Sequence, residues 1–195
     1  MLRAGLLDNR RIVILDAGGI GARLAELGAT IEPLGAETLA DEQAAAAWAA
    51  ERAPLHALVV DLRVVFGDGD GDGDGGGAGP LQATLDLAWR ATRAVATGAM
   101  IEQPDAARLV LVAPRPDAAA DHAEAVRAAL ENLARTLSVE WARFQISATA
   151  IMPGAITAQA DIAELVAYVV SPAGGYLSGC RLELGAVTAA GPAVA

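Results

Sequence analysis

The sequence carries one cysteine, few aromatic residues and no cluster of lysines. The lone thiol, Cys180, excludes an intramolecular disulfide and a cysteine-based zinc cluster. Aromatics make up 4% of the 195 residues, so Trp48, Trp89 and Trp141 are expected to anchor packing. The hydrophobic fraction is 54%, much of it alanine, which favours helix and close helix packing but buries little area per residue. Basic residues number 14 against 24 acidic ones, a formal charge of −10. Without a basic stripe, the chain lacks the electrostatic footprint of a nucleic-acid binder. Met1 to Asn9 has no long apolar run of the signal-peptide kind, and no stretch reaches the roughly 18 uninterrupted apolar residues of a spanning helix. The expectation is a soluble cytoplasmic protein with neither membrane nor nucleic acid as partner.

Apolar runs alternate along the chain with helical patterns, the sign of βαβ units and a parallel sheet. Strands are expected at Arg11 to Ala17, Ala29 to Leu34, Leu55 to Leu62, Arg108 to Ala113, Ile146 to Met152 and Arg181 to Val187. Between the first two, Gly18, Gly19 and Gly21 open a short helix of about one turn, closed at Gly28. Further helices are expected over Thr38 to Arg52, from Pro80 to about Thr97, from a capping box of Asp121 and Glu124 to about Phe144, and over Asp161 to Val170. The low-complexity Gly/Asp tract 67–79 reads as a flexible loop. Its Asp68 to Gly73 resembles the start of a calcium loop, but Gly79 stands where the twelfth-position glutamate belongs. No internal repeat and no domain boundary is visible, so residues 1–195 are read as one domain.

Three pieces of the second half, in this order, resemble the short-chain dehydrogenase/reductase family. Ala128 to Trp141 is similar to the helix that follows the family's catalytic lysine. Ile151 to Thr157 is similar to its Pro-Gly motif, with Pro153, Gly154 and Thr157 in place. Asp161 to Gly185 resembles its ending of helix, Ser-Pro turn, Ser-Gly and last strand. Gly18, Gly19 and Gly21 follow a strand and open a helix, as the family's glycine loop does, where phosphate approaches backbone N–H groups. A tight turn packing helix on strand accounts for the same glycines.

The resemblance also shows what is missing. In the family, a tyrosine and a lysine four apart on the long helix move the proton and hold the nicotinamide ribose. Aligned on Ala128-Ala129-Leu130, Arg127 takes the lysine position and Ala123 the tyrosine position. Alanine has no proton to move, and an arginine fork does not replace a compact ammonium. The supporting serine falls at Ala113, the asparagine at Thr84, and the Asn-Asn-Ala-Gly motif at an unrecognisable Asp61-Leu62-Arg63. Asp16 and Ala17 stand where the glycine loop should begin, and little remains of the substrate-covering segment between Thr157 and Asp161. His122 is a candidate substitute acid, against a solvated residue at a helix start.

The resemblance therefore implies an α/β fold: a Rossmann-like three-layer α/β/α sandwich with a mostly parallel sheet of about six strands, one βα unit being deleted between the second strand and Leu55. It implies degenerate catalytic positions Ala123, Arg127, Thr84 and Ala113, and vestigial cofactor positions Gly18, Gly19, Gly21, Pro153, Gly154 and Thr157. No metal and no cofactor is expected, and NAD(P) if there is one. The expected function is that of a catalytically inactive subunit, supporting an active oxidoreductase of the family in a hetero-oligomer. It pairs with that subunit, or with itself, through the two long helices, about 81–97 and 121–144, where Ala91, Ala94, Ala125, Ala129 and Thr136 permit close approach. The alternative is an atypical NAD(P)-dependent short-chain oxidoreductase acting on a carbonyl or alcohol.

Overall fold

The computed structural model describes residues 2–15, 18–66, 81–118 and 122–185. Asp16, Ala17, the Gly/Asp tract, the Asp121 half of the capping box and the end of the last expected strand lie outside the described residues. Six strands alternate with helices: β1 (Arg11–Leu15), α1 (Ile20–Glu26), β2 (Thr30–Pro33), α2 (Glu42–Ala50), β3 (Ala57–Asp61), α3 (Arg63–Phe66), α4 (Leu81–Val95), β4 (Ala107–Val112), α5 (Ala123–Glu140), β5 (Ile146–Pro153), α6 (Gln159–Val170) and β6 (Cys180–Leu184). They form one sheet in the order β2-β1-β3-β4-β5-β6. Every neighbouring pair is parallel, not merely most of them.

Parallel strands between two helical layers are buried on both faces, and the side chains divide by period two. Val13, Leu58, Val60, Leu109, Leu111, Ala148 and Ala150 face α2, α4 and α5 in one core. Ile12, Ile14, Val59, Val110, Val112 and Ile151 face α1 and α6 in the other. A doubly wound sheet of order 3-2-1-4-5-6, extended by a seventh strand beyond the sixth, has the six-strand order seen here once its third strand is lost, with β2 left as the edge. The pruned βα unit is thus visible in the topology.

Several expected boundaries shift for local reasons. The helix read over Thr38 to Arg52 breaks at Asp41, whose backbone is extended (φ −122°) and whose carboxylate accepts from Ala44 N at 2.9 Å. An Asp cap of this kind starts α2 anew after a short 3-10 turn. The fourth helix does not end at Thr97: α4 passes into a π-helical turn over Ala96–Met100. Gly98 lies in that turn against α2, where a Cβ would sit 2.3 Å from the Ala46 carbonyl oxygen. The long helix stops at Glu140, and a 3-10 turn carries the chain to Gln145 in left-handed conformation (φ 59°). The first helix, α1, has seven residues, about two turns rather than one. α3 was not foreseen.

Candidate functional site

Sheet topology places the site. From β1 the chain turns to β2 on one side, and β3 lies on the other, so a crevice opens beyond the carboxyl ends of β1 and β3. The glycine turn after β1 borders it. Gly18 and Gly19 have φ of +113° and +84°, conformations that suit glycine.

Across the crevice, β3 ends in Asp61, and two residues on stands Arg63. Both side chains are 0% exposed. The Asp61 carboxylate accepts Arg63's own backbone N–H at 3.0 Å, which curls the chain back at the strand end. It also accepts the guanidinium in a two-pronged pair, Nε at 2.9 Å and Nη2 at 2.6 Å. The remaining Nη1 donates to the Gln159 side-chain oxygen, and the Gln159 amide nitrogen donates to the Gly18 carbonyl. Gln159, the first residue of α6, thus lies over the glycine turn. A Cβ placed on Gly19 would be 2.9 Å from its Nε2.

The positions matched to the family's catalytic residues are packed and tied. Ala123 is 2% exposed and belongs to the core. Ala113 is fully buried, and its N–H continues the sheet by donating to the Ile151 carbonyl at 2.9 Å. Thr84 is fully buried on α4, its hydroxyl without a hydrogen-bond partner. Arg127 is buried, and one guanidinium nitrogen donates to the carbonyls of Pro114 at 2.6 Å and Pro153 at 2.9 Å. Burial draws its pKa below the usual arginine value, and Glu124, 3.4 Å away, opposes that. The guanidinium therefore ties α5 to the ends of β4 and β5. His122 caps α5 through its backbone carbonyl, which accepts from Val126 N at 3.0 Å.

The Pro-Gly motif is a structural turn here. Gly154 N–H donates to Leu184 O at 2.9 Å and to Thr157 Oγ1 at 2.8 Å. Thr157 Oγ1 donates onward to Leu184 O at 2.6 Å, and Thr157 O accepts from Arg115 at 2.8 Å. Pro153, Gly154 and Thr157 thus join β5 to β6 and to the loop after β4. Gly21 stands apart from them, lining an apolar groove of about 430 Å³ between α1 and β2 with Ala25, Ile31 and Pro33.

Among the described residues, neither tyrosine stands beside Arg127. The chain has no lysine and two tyrosines. Tyr176 is 89% exposed, in a turn tied to Ala148 and Thr149 early in β5, while Arg127 sits at Pro153. Those ends of β5 are roughly 16 Å apart at about 3.3 Å per residue. Tyr168 is near the C-terminal end of α6, on the same side as Tyr176. Among the described residues, no cluster of three or more His, Cys, Asp or Glu could hold a metal. No helix among them is long and apolar enough to cross a membrane.

Sequence reasoning missed Arg63 and Gln159. An acid two residues before an arginine, after a wholly apolar strand, was a usable signal for the first. Nothing in the sequence marks Gln159. A second groove, of about 470 Å³, is lined by Ala36, Leu39, Val65, Ala83, Leu87 and Arg90 beside the ends of β2 and β3. On the outer surface, Trp89 of α4 and Val139 of α5 are 42% and 76% exposed. Ala91 and Ala94, expected at a subunit contact, are instead fully buried beneath α4. Ala125 and Thr136 are exposed and Ala129 is half-buried.

No protein-family model and no curated protein sequence matches the chain. Solved structures do. A short-chain dehydrogenase from Mycobacterium smegmatis superposes with a TM-score of 0.70 at 18% identity, covering 95% of both chains. The citronellol catabolism dehydrogenase of Pseudomonas aeruginosa gives 0.68 at 20% identity, covering 94% of this chain and 96% of its own. A hydroxysteroid dehydrogenase from Escherichia coli gives 0.65 at 17% identity, covering 93% and 98%. The chain has the fold of the short-chain dehydrogenases/reductases.

Proposed function

We propose that this chain is a degenerate short-chain dehydrogenase/reductase that performs no hydride transfer of its own and supports an active subunit of the same fold. One observation carries the reading: the proton-transfer position is the buried Ala123, and its basic neighbour Arg127 is committed to the Pro114 and Pro153 carbonyls. A general acid must reach the reacting oxygen within hydrogen-bond distance, and neither residue is placed to do so. The residues around the glycine turn do not fit a dinucleotide either. Gln159 lies against Gly18 and Gly19, and the Arg63 guanidinium is already paired with Asp61.

Association through α4 and α5 is supported by what those helices expose. Trp89 and Val139 are large apolar side chains left exposed on α4 and α5, and Ala125 and Thr136 of α5 are exposed as well. A tryptophan such as Trp89 is among the residues that most often anchor interfaces. Co-expression with an active dehydrogenase of this fold from the same source, followed by size exclusion with mass measurement, tests the reading. The expected result is a mixed oligomer in which only the partner binds cofactor and its activity or stability rises. A lone monomer with no effect on the partner's activity would overturn it.

The groove beside β2 and β3 favours a second reading, an atypical NAD(P)-dependent oxidoreductase acting on a carbonyl or alcohol. Its apolar lining of Leu39, Val65 and Leu87 is open to a flat ring. Calorimetric titration with NAD, NADH, NADP and NADPH separates the two: heat with any of them favours this second reading, and silence with all four eliminates it.

A further inference from the structure

We infer that Arg10 and Arg108, at the amino end of the sheet, form a binding site for a doubly charged oxyanion of the phosphate class. The site lies at the end of the strands opposite to Arg127 and the glycine turn, so it stands or falls independently of the function proposed above.

The strand register brings the two arginines to one face. Ile12, Ala57 and Arg108 are partners in one row across β1, β3 and β4. Ile12 and Ala57 belong to the core beneath α1 and α6. The ladder continues below Ile12 to Arg10, whose carbonyl accepts from Thr30 N at 2.8 Å. Side chains alternate along a strand, so Arg10 shares the face of Ile12 and Arg108 that of Val110, which lies in the same core. At about 4.8 Å between strands and about 3.3 Å per residue, their Cα atoms are roughly 12 Å apart, close enough for both side chains to reach one small anion. Ala57, fully buried, is the only residue between them in the row, and it is small.

Both cations lack a counter-charge. Among the described residues, no ion pair joins Arg10 or Arg108 to an acid, although eight other arginines have one. Arg108 Nη1 donates only to the neighbouring Ala107 carbonyl, at 3.2 Å, and Nε is buried without a hydrogen-bond partner. A buried donor left unmade is costly, and here it belongs to a full charge. Burial first, then the charge of Arg10, draws the Arg108 pKa below the usual arginine value. The same Arg10 acts on His56, where Asp105 opposes it. In a chain of net charge −10, two neighbouring cations without an acid describe a place for an anion from outside. Two charges are matched by a dianion, whereas a monocarboxylate offsets only one, and guanidinium forks suit phosphate oxygens. Arg108 Nη2 reaches the exposed turn at Gly175, 3.1 Å from where a Cβ would sit, so the lack of a side chain there leaves the fork open to solvent.

The test is calorimetric titration of sodium phosphate into the full chain at constant ionic strength, because salt screens exposed charges. Arg10→Gln and Arg108→Gln are compared with Arg135→Gln, which removes the same charge from an exposed side chain on α5. Wild type and Arg135→Gln are expected to bind phosphate alike, and the other two at least about ten-fold more weakly, as the loss of a charge-assisted contact implies. Thermal midpoints give a second readout that a purely structural arginine would not produce. In chloride, Arg10→Gln should match or exceed wild type, since a like charge has gone. In phosphate, wild type should overtake it. A third readout is the His56 ring in NMR titration, assigned with His56→Asn: phosphate should move its midpoint up, towards the ordinary histidine value, by offsetting Arg10. Neither heat nor a midpoint shift with wild type overturns the site. So does equal binding by Arg10→Gln, which decides the matter if Arg108→Gln does not fold. Acetate bound as tightly as phosphate overturns the dianion class.

Discussion

Arg127 and Pro153 are joined by a hydrogen bond of 2.9 Å, from a guanidinium nitrogen on α5 to the last carbonyl of β5. The same nitrogen reaches the Pro114 carbonyl at 2.6 Å. One buried cation thus satisfies two backbone acceptors where β4 and β5 end, a structural task that the sequence position alone does not suggest. Arg127→Ala leaves both carbonyls without this donor, at about 1–3 kcal/mol for each group that finds no water. A loss of about 2–4 kcal/mol is expected, read as a lower urea midpoint with unchanged slope. Arg127→Lys should recover only part of it, because the lysine side chain ends one bond short of the nitrogen that reaches both carbonyls. A loss below about 0.5 kcal/mol for the alanine variant would contradict this account.

The Asp61–Arg63 pair is the second buried charge device, and its two partners are unequal to their sum. Removing one member strands the other in a dry site, which costs about 3–5 kcal/mol, whereas replacing both by apolar groups of similar size is often near neutral. Asp61→Leu or Arg63→Leu alone is therefore expected to destabilise by about that amount, and the double variant by far less. Chemical denaturation of the four proteins in a double-mutant cycle measures it. A coupling energy near zero would mean that the pair is not the unit described here.

Much of the fold was legible because parallel strands buried on both faces are written as short apolar runs, such as Ile12 to Leu15 and Leu109 to Val112. The pruned unit was legible for the same reason: no apolar run separates β2 from the helix before Leu55. Helix ends were less so. Asp41 sits among good helix formers, yet its extended backbone caps α2 and ends the pattern that Thr38 begins. The π-helical turn depends on Gly98 packing against the Ala46 backbone, a contact between helices about 50 residues apart in the chain. At the site, which residue stands at each position matched to the family is readable, because spacing along one helix or strand is local information. The Gln159 contact was not, since it joins three segments distant in sequence. The interface alanines misled because Ala91 and Ala94 have the small size of contact residues but point inward.

His56 gives the protein a pH-dependent term. Its Nδ1 accepts the Arg11 N–H at 3.0 Å, which requires the neutral ring. Burial first, then the nearby Arg10, holds its pKa below the ordinary histidine value, with Asp105 opposing. The unfolded chain then binds the proton more readily than the folded one. His56's contribution is fully present above about pH 6.5, the unfolded value, and is lost as pH falls through the lower folded value. Urea midpoints measured from pH 8 to pH 5 should fall on the acid side, and less so in His56→Asn. The same variant should be less stable by about 1 kcal/mol at pH 8 if its amide fails to replace the bond. Parallel pH profiles for the two proteins would remove His56 from the explanation.

Exposed Trp89 and Val139 offer a way to separate association from folding. Both lie on the outer faces of α4 and α5, so charge placed there has little to disturb within the subunit. Trp89→Glu and Val139→Glu are expected to shift stability by no more than about 0.5 kcal/mol, as surface changes do. If α4 and α5 are the contact, each should weaken the complex with the active partner by at least about ten-fold, since truncating an anchor commonly costs 1–2 kcal/mol or more. Size exclusion across a concentration series reports it. Complexes as tight as wild type would place the contact elsewhere.

Rebuilding the family's two residues tests whether their loss is the whole story. In Ala123→Tyr with Arg127→Lys, the tyrosine must enter a position that is 2% exposed and packed in the core. Forcing a large ring into a filled core costs about 1–3 kcal/mol, and the lysine ends one bond short of the nitrogen with which Arg127 reaches both carbonyls. Ala113, at the position matched to the family's serine, still carries no hydroxyl. The double variant is therefore expected to be less stable than wild type and to show no turnover of NADH or NADPH with simple ketones above the uncatalysed rate. Turnover by the double variant alone would show instead that the surroundings of Ala123 still assemble a working site, and that two side chains were all that separated this chain from catalysis.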